Sequence, residues 1–157
     1  TGNVTGNVTG NVTGTVLATT PVNATASTLV VTQATHGGRV VTLNRAGGIA
    51  VTLPAASGTG TIYEFVVGTT YTSAGTIKVA NASDIMTGTA YVVSDGAAAV
   101  LGYRTASTDD TITLDGSTMG GLKGDVIRII DVATNLFSVL AFTAATGSEA
   151  TPFSATV

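Results

Sequence analysis

Arg39-Val40-Val41-Thr42-Leu43 and Ile49-Ala50-Val51-Thr52-Leu53 are near-copies of one another, joined by the five residues Asn44-Arg45-Ala46-Gly47-Gly48 and closed by Pro54. Both copies are rich in β-branched residues that suit a pleated strand. A connector of this length, made largely of Gly and Asn, fits a longer hairpin loop. Pro54 has no N–H to give to a ladder and ends the second strand. The pattern therefore predicts an antiparallel hairpin, and with it a β domain.

Working outward, Thr28 to Thr32 reads as a preceding strand and His36-Gly37-Gly38 as the turn after it. Thr61 to Val67 alternates less cleanly, which predicts a strand buried on both faces at the centre of the core. Further strands are expected at Thr76 to Ala80, Ala90 to Ser94, Ala98 to Arg104, Asp110 to Leu114, Asp125 to Val132 and Phe137 to Ala144. The turns between them hold Asn81, Asp95-Gly96, Asp115-Gly116, Gly120-Gly121 and Asn135. Short strands, Gly/Asp/Asn turns and no helical periodicity predict an all-β fold, an antiparallel sandwich or barrel with very little helix.

The chain opens on Thr-Gly-Asn-Val written three times and closed by Thr13-Gly14-Thr15-Val16. A period of four is two strand periods, so Gly and Val share one face and Thr and Asn the other. Gly and β-branched residues disfavour helix, and collagen needs Gly at every third position. A lone strand of this kind does not recover its ordering entropy, about 1 to 2 kcal/mol per residue. Val4, Val8, Val12 and Val16 are therefore expected to contact other copies or a partner. Pro21 marks a linker, and residues 145–157 show no sustained alternation. The expected organisation is an arm and linker over 1–27, a β domain over 28–144, and an extended tail over 145–157 in which Phe153 anchors in a neighbour's pocket.

Charged residues make up 10 % of the 157, against about 25 % in an average domain. The net charge is -3, and the six basic residues (Arg39, Arg45, Lys78, Arg104, Lys123, Arg128) are scattered. No stripe of charge follows a phosphate backbone, so nucleic acid is not an expected partner. Mean hydropathy is +0.46, yet no apolar run approaches the roughly 18 residues of a membrane helix, and no membrane partner is expected. No basic-then-apolar leader follows Thr1, so no signal peptide is expected. Cysteine is absent, which removes disulfides as a source of stability.

Chemistry has few places to sit. His36 is the only histidine, so a serine or threonine triad could run only through it; its Gly-rich turn predicts instead an exposed loop residue or a subunit contact. Asp109 and Asp110 are consecutive on a strand and point apart. With Asp115 they could offer oxygen ligands to a hard cation, but a solvated turn fits them better. Gly116 to Gly124 fits neither phosphate-binding fingerprint. Most of the aromatic residues are expected in the core, with Tyr71 and Tyr103 left nearer to turns as positions where a sugar could stack. No catalytic, cofactor-binding or metal-binding residue is expected.

The run Val40-Val41-Thr42-Leu43-Asn44-Arg45-Ala46-Gly47-Gly48-Ile49-Ala50-Val51-Thr52-Leu53-Pro54-Ala55-Ala56 and the later Gly120-Gly121-Leu122-Lys123-Gly124-Asp125-Val126-Ile127 resemble small β-rich structural proteins of tailed bacteriophages. Those are virion components that decorate capsids or form head fibres. The resemblance implies a non-enzymatic cement protein on the capsid surface, a homotrimer whose partners are copies of itself and the major capsid protein, with no cofactor. Tail-fibre or receptor-binding modules, and surface filaments in which Thr1 to Val16 acts as a donor strand, share this composition and stand as alternatives.

Overall fold

The computed structural model describes residues 20–96 and 99–157. The repeat valines Val4, Val8, Val12 and Val16 lie outside the described residues. Period-two alternation of apolar and Thr-rich positions makes strands of nearly every segment: β1 (Val22–Ala24), β2 (Thr28–Val30), β3 (Val40–Leu43), β4 (Ala50–Thr52), β5 (Ile62–Val67), β6 (Gly75–Lys78), β7 (Ile85–Val93), β8 (Val100–Arg104), β9 (Thr111–Leu114), β10 (Val126–Ala133), β11 (Leu136–Ala144) and β12 (Phe153–Ser154). The single helix among the described residues, α1 (Gln33–His36), is one turn capped by the Thr32 hydroxyl.

The strands form an all-β sandwich. A seven-stranded sheet has the order β1-β3-β5-β10-β11-β7-β8, and a five-stranded sheet has the order β12-β9-β6-β4-β2. Tyr63, Phe65, Ile127, Ile129 and Phe137 from the larger sheet meet Val51, Ile77, Ile112 and Leu114 from the smaller, all at most 1 % exposed. Both sheets are mixed rather than wholly antiparallel: β1-β3-β5 and β2-β4-β6 are parallel sets, β7 and β11 are parallel, and the remaining pairs are antiparallel.

The expected hairpin is an arch. β3 lies in the larger sheet beside β1 and β5, and β4 lies in the smaller beside β2 and β6. An arch lets the apolar sides of both near-copies, Val41 and Leu43 against Val51, face each other across the core, all three at 0 % exposure. A hairpin would have set them side by side on one sheet. The connector is held by the Arg45 guanidinium, which donates to the Gly48 carbonyl at 2.6 Å. Gly48 takes φ +74, and a side chain there would strike the backbone of Ala74. The first half of the chain thus winds as a coil, crossing from sheet to sheet with each strand from β1 to β6.

Other expectations also shift. β5 is buried on one face only: Tyr63, Phe65 and Val67 face the core, while Ile62, Glu64 and Val66 face outward. The folded unit runs past both expected boundaries, because β1 starts at Val22, whose sheet neighbour is Val41, and the expected tail is stitched in by β12 on β9. Phe153, expected in a neighbour's pocket, is 6 % exposed within this chain's own core. Burying a phenyl ring removes enough apolar area from water to hold a short terminal strand.

Candidate functional site: an apolar sheet face

Asp131, at the end of β10, accepts from the N–H groups of Ser57, Gly58 and Thr59 at 2.9, 2.7 and 3.1 Å, and from the Thr59 hydroxyl at 2.7 Å. Asp115 caps its own turn in the same way, accepting from Ser117, Thr118 and Met119 N–H. Burial would raise both carboxyls, but these donors outweigh it and hold both below the ordinary value. Asp110 is also lowered, with burial outweighed by Thr156 N–H, the Thr111 hydroxyl, Val157 N–H and the charge of Lys78. In Asp125 burial wins: the carboxyl is pushed up to about 6 even though Gly121, Leu122 and Ala144 donate N–H groups to it.

The sequence candidates for chemistry therefore do not converge. Asp109 caps Ala106, Asp110 ties down the C-terminal segment, and Asp115 serves its own turn. Among the described residues no three His, Asp or Glu side chains are grouped to hold a metal ion. His36, expected on an exposed loop, is 6 % exposed. Its Nδ1 accepts from Thr32 N–H at 3.0 Å, which binds the ring to its own helical turn. Tyr71 is buried in the core, where desolvation pushes its hydroxyl up to about 12. Tyr103 packs partly buried against the core. Neither ring offers an open platform for a sugar.

The open aromatic surface lies elsewhere, on the outer face of the seven-stranded sheet. Cross-strand register aligns Val66, Val126, Phe142, Tyr91 and Gly102 in one row. The adjacent row holds Glu64, Arg128, Leu140, Thr89 and Arg104, and a third sets Val93 beside Val100. Phe142 is 55 % exposed and Val100 59 %; the Phe142 and Tyr91 rings stack at 5.4 Å with a 17° tilt. Across the strand from Tyr91, a Cβ at Gly102 would sit in ordinary contact with the ring. A depression of about 160 Å³ is lined by Glu64, Val126, Arg128, Leu140 and Phe142.

In its lining Arg128 gives both Nε and Nη2 to one Glu64 oxygen, at 3.1 and 2.8 Å. So exposed a pair adds little to stability, but it leaves the depression with no net charge from Glu64 and Arg128. The outer face of the five-stranded sheet is different in kind. Its register rows are Thr28-Ala50-Thr76-Thr113 and Val30-Thr52-Lys78-Thr111. The face of the smaller sheet is thus mostly threonine, with Val30 exposed on its edge strand and Thr111 buried against Thr156, whereas the other carries contiguous aliphatic and aromatic side chains of the type that mark interaction sites.

Sequence reading assigned Phe142 to the core, yet parity could have placed it outside. Phe137, Val139 and Ala141 point inward on β11, so an even-numbered neighbour must point outward. No family model, curated protein or solved structure matches this chain.

Proposed function

We propose that this chain is a non-enzymatic virion structural protein of a tailed bacteriophage, a homotrimeric capsid-decoration (cement or head-fibre) protein that binds the major capsid protein and stabilises the lattice. The observation that carries this reading is the apolar outer face centred on Phe142, Tyr91 and Leu140, which has no cover within the described residues and gains by being covered. The phage-like runs at Val40 to Ala56 and Gly120 to Ile127 support the same reading. In it, copies of this chain cover the face by packing against one another, and the Thr-rich face stays in water. Aromatic residues at the centre and charges few or paired are what the core of a protein interface uses. A trimer that binds assembled capsid and not free subunits stabilises the assembly by mass action, and three engaged copies multiply the effect.

The stacked pair Tyr91 and Phe142 favours one alternative, a tail-fibre or receptor-binding module in which exposed rings meet a glycan. Gold-labelled antibody against the chain, applied to phage particles whose genome encodes it, separates the readings. Label on the capsid is expected. Label confined to the tail would favour the alternative, and particles that lack the chain altogether would overturn both.

A further inference from the structure

Among the described residues, the coil made by the first six strands is open at its starting end. β1 pairs with β3 and with no other described strand, and β2 pairs with β4 alone. Successive residues of a strand aim their backbone N–H and C=O to alternate sides. The Ala24 carbonyl accepts from Asn44 N–H at 2.8 Å, toward β3, which turns the N–H and C=O of Asn23 to the open side. On β2 the Ser27 carbonyl accepts from Ala50 N–H at 2.9 Å, and Val31 N–H donates to Thr52 at 2.8 Å. The backbone groups of Thr28 and Val30 therefore also face outward.

Among the described residues, no strand covers the core at the same end. Val22 and Leu29, the last inward side chains of the two sheets, are only partly buried against it. In the larger sheet the inward pairs shrink toward this end, from Phe65 and Val67 through Val41 and Leu43 to Val22 and Ala24. An uncovered edge templates a further strand unless charge, proline or a bulge blunts it. Neither β1 nor β2 contains a charged residue, and Pro21 stands before β1 rather than in it. The Arg39 guanidinium grips the Thr20 carbonyl at 2.6 Å and fixes where the upstream chain arrives.

That upstream chain is the Thr-Gly-Asn-Val repeat. Its apolar face alternates Val with Gly, the next step in the taper. The coil sets Val22 beside Val41, and a backward step of the same length from Val22 falls within Gly2 to Val4. The residues between supply the dozen or more that a parallel crossover requires. We propose that the Thr1 to Val16 repeat of the same chain adds one more rung to this open end, pairing in parallel with β1 and β2. Its valines close over Val22 and Leu29, and its Thr/Asn face meets water. Val4, Val8, Val12 and Val16 then belong to contacts within one copy instead of between copies. The repeat tolerates a register shift of four residues without exchanging its faces.

The 157-residue chain tests this directly, because it has no native cysteine. Asn23→Cys is combined in turn with Asn3→Cys, Thr5→Cys and Asn7→Cys, each pair is oxidised, and the disulfides are mapped by mass spectrometry. Neighbouring strands lie about 4.8 Å apart, within disulfide reach. At least one pair is expected to close within a single chain. In the unsubstituted protein, the amides of Asn23, Thr28 and Val30 are expected to exchange at least tenfold more slowly than in a coil. Disulfides between chains would assign the edge to a neighbour's arm and overturn the proposal. So would coil-like exchange at those three amides, or the failure of every pair to close. None of these outcomes depends on the trimer, whose own test is solution mass.

Discussion

Single carboxylates hold the loops of this sandwich in place. Asp131 satisfies three backbone N–H groups between β4 and β5, and without it those donors lose their partner. Asp131→Ala is expected to lower stability by about 1–3 kcal/mol in urea unfolding, with no change in the oligomer. Asp125 carries a pH signature. Its folded value of about 6 lies above the unfolded 3.8, so between these values the folded state binds more protons, and stability falls as pH rises through the window. Asp110, Asp115 and Asp131 are depressed; their stabilisation is present above the unfolded value and is lost as pH falls through their folded values. Thermal unfolding should therefore be most resistant near pH 4 to 5 as far as these groups decide it, and Asp125→Asn should remove the slope between pH 4 and 6. A wild-type melting temperature that rises steadily across that window would contradict the assignment. Phe153→Ala should cost about 3–5 kcal/mol of folding stability, an effect on the fold rather than on association. That role was not legible in the sequence, because a strand as short as Phe153–Ser154 has no period, and its partner Ile112 is remote in the chain.

At the scale of elements, most strands could be read from alternation and turn residues, but their partners could not. A period of two says which side chains share a face and nothing about which sheet receives the strand. The near-copies around Asn44 to Gly48 show the consequence: a five-residue connector serves a hairpin or an arch, and burial of both apolar faces selects the arch. β1 went unread because Val22-Asn23-Ala24 is short and follows a proline. The opening residues of β7 went unread because Gly88 interrupts the pattern. Gly88 is there for closeness: a Cβ at this position would strike the carbonyl of Val139 on the parallel neighbour β11. Gly88→Ala should cost about 1–3 kcal/mol through forced displacement of the strands, measured by the urea midpoint, while Gly96→Ala, which meets nothing within 4 Å, should change little.

For the whole molecule, two faces of opposite character define what the sandwich can do. The face of the smaller sheet is mostly threonine with Val30 exposed at its edge, and the face around Phe142, Tyr91, Leu140 and Val126 is contiguous and apolar. The low charge of the chain was visible in composition; the concentration of its apolar surface on one sheet was not, because it arises where β5, β10, β11 and β7, distant in sequence, are set side by side. The central claim is that copies of this chain assemble through that face. Light scattering on the 157-residue chain, beside Phe142→Asp, tests it most directly. The expected masses are about three times 15.4 kDa for the unsubstituted chain and about 15.4 kDa for the variant, with the same far-ultraviolet circular dichroism for both. A monomer in both samples, or a trimer untouched by the substitution, would contradict the account.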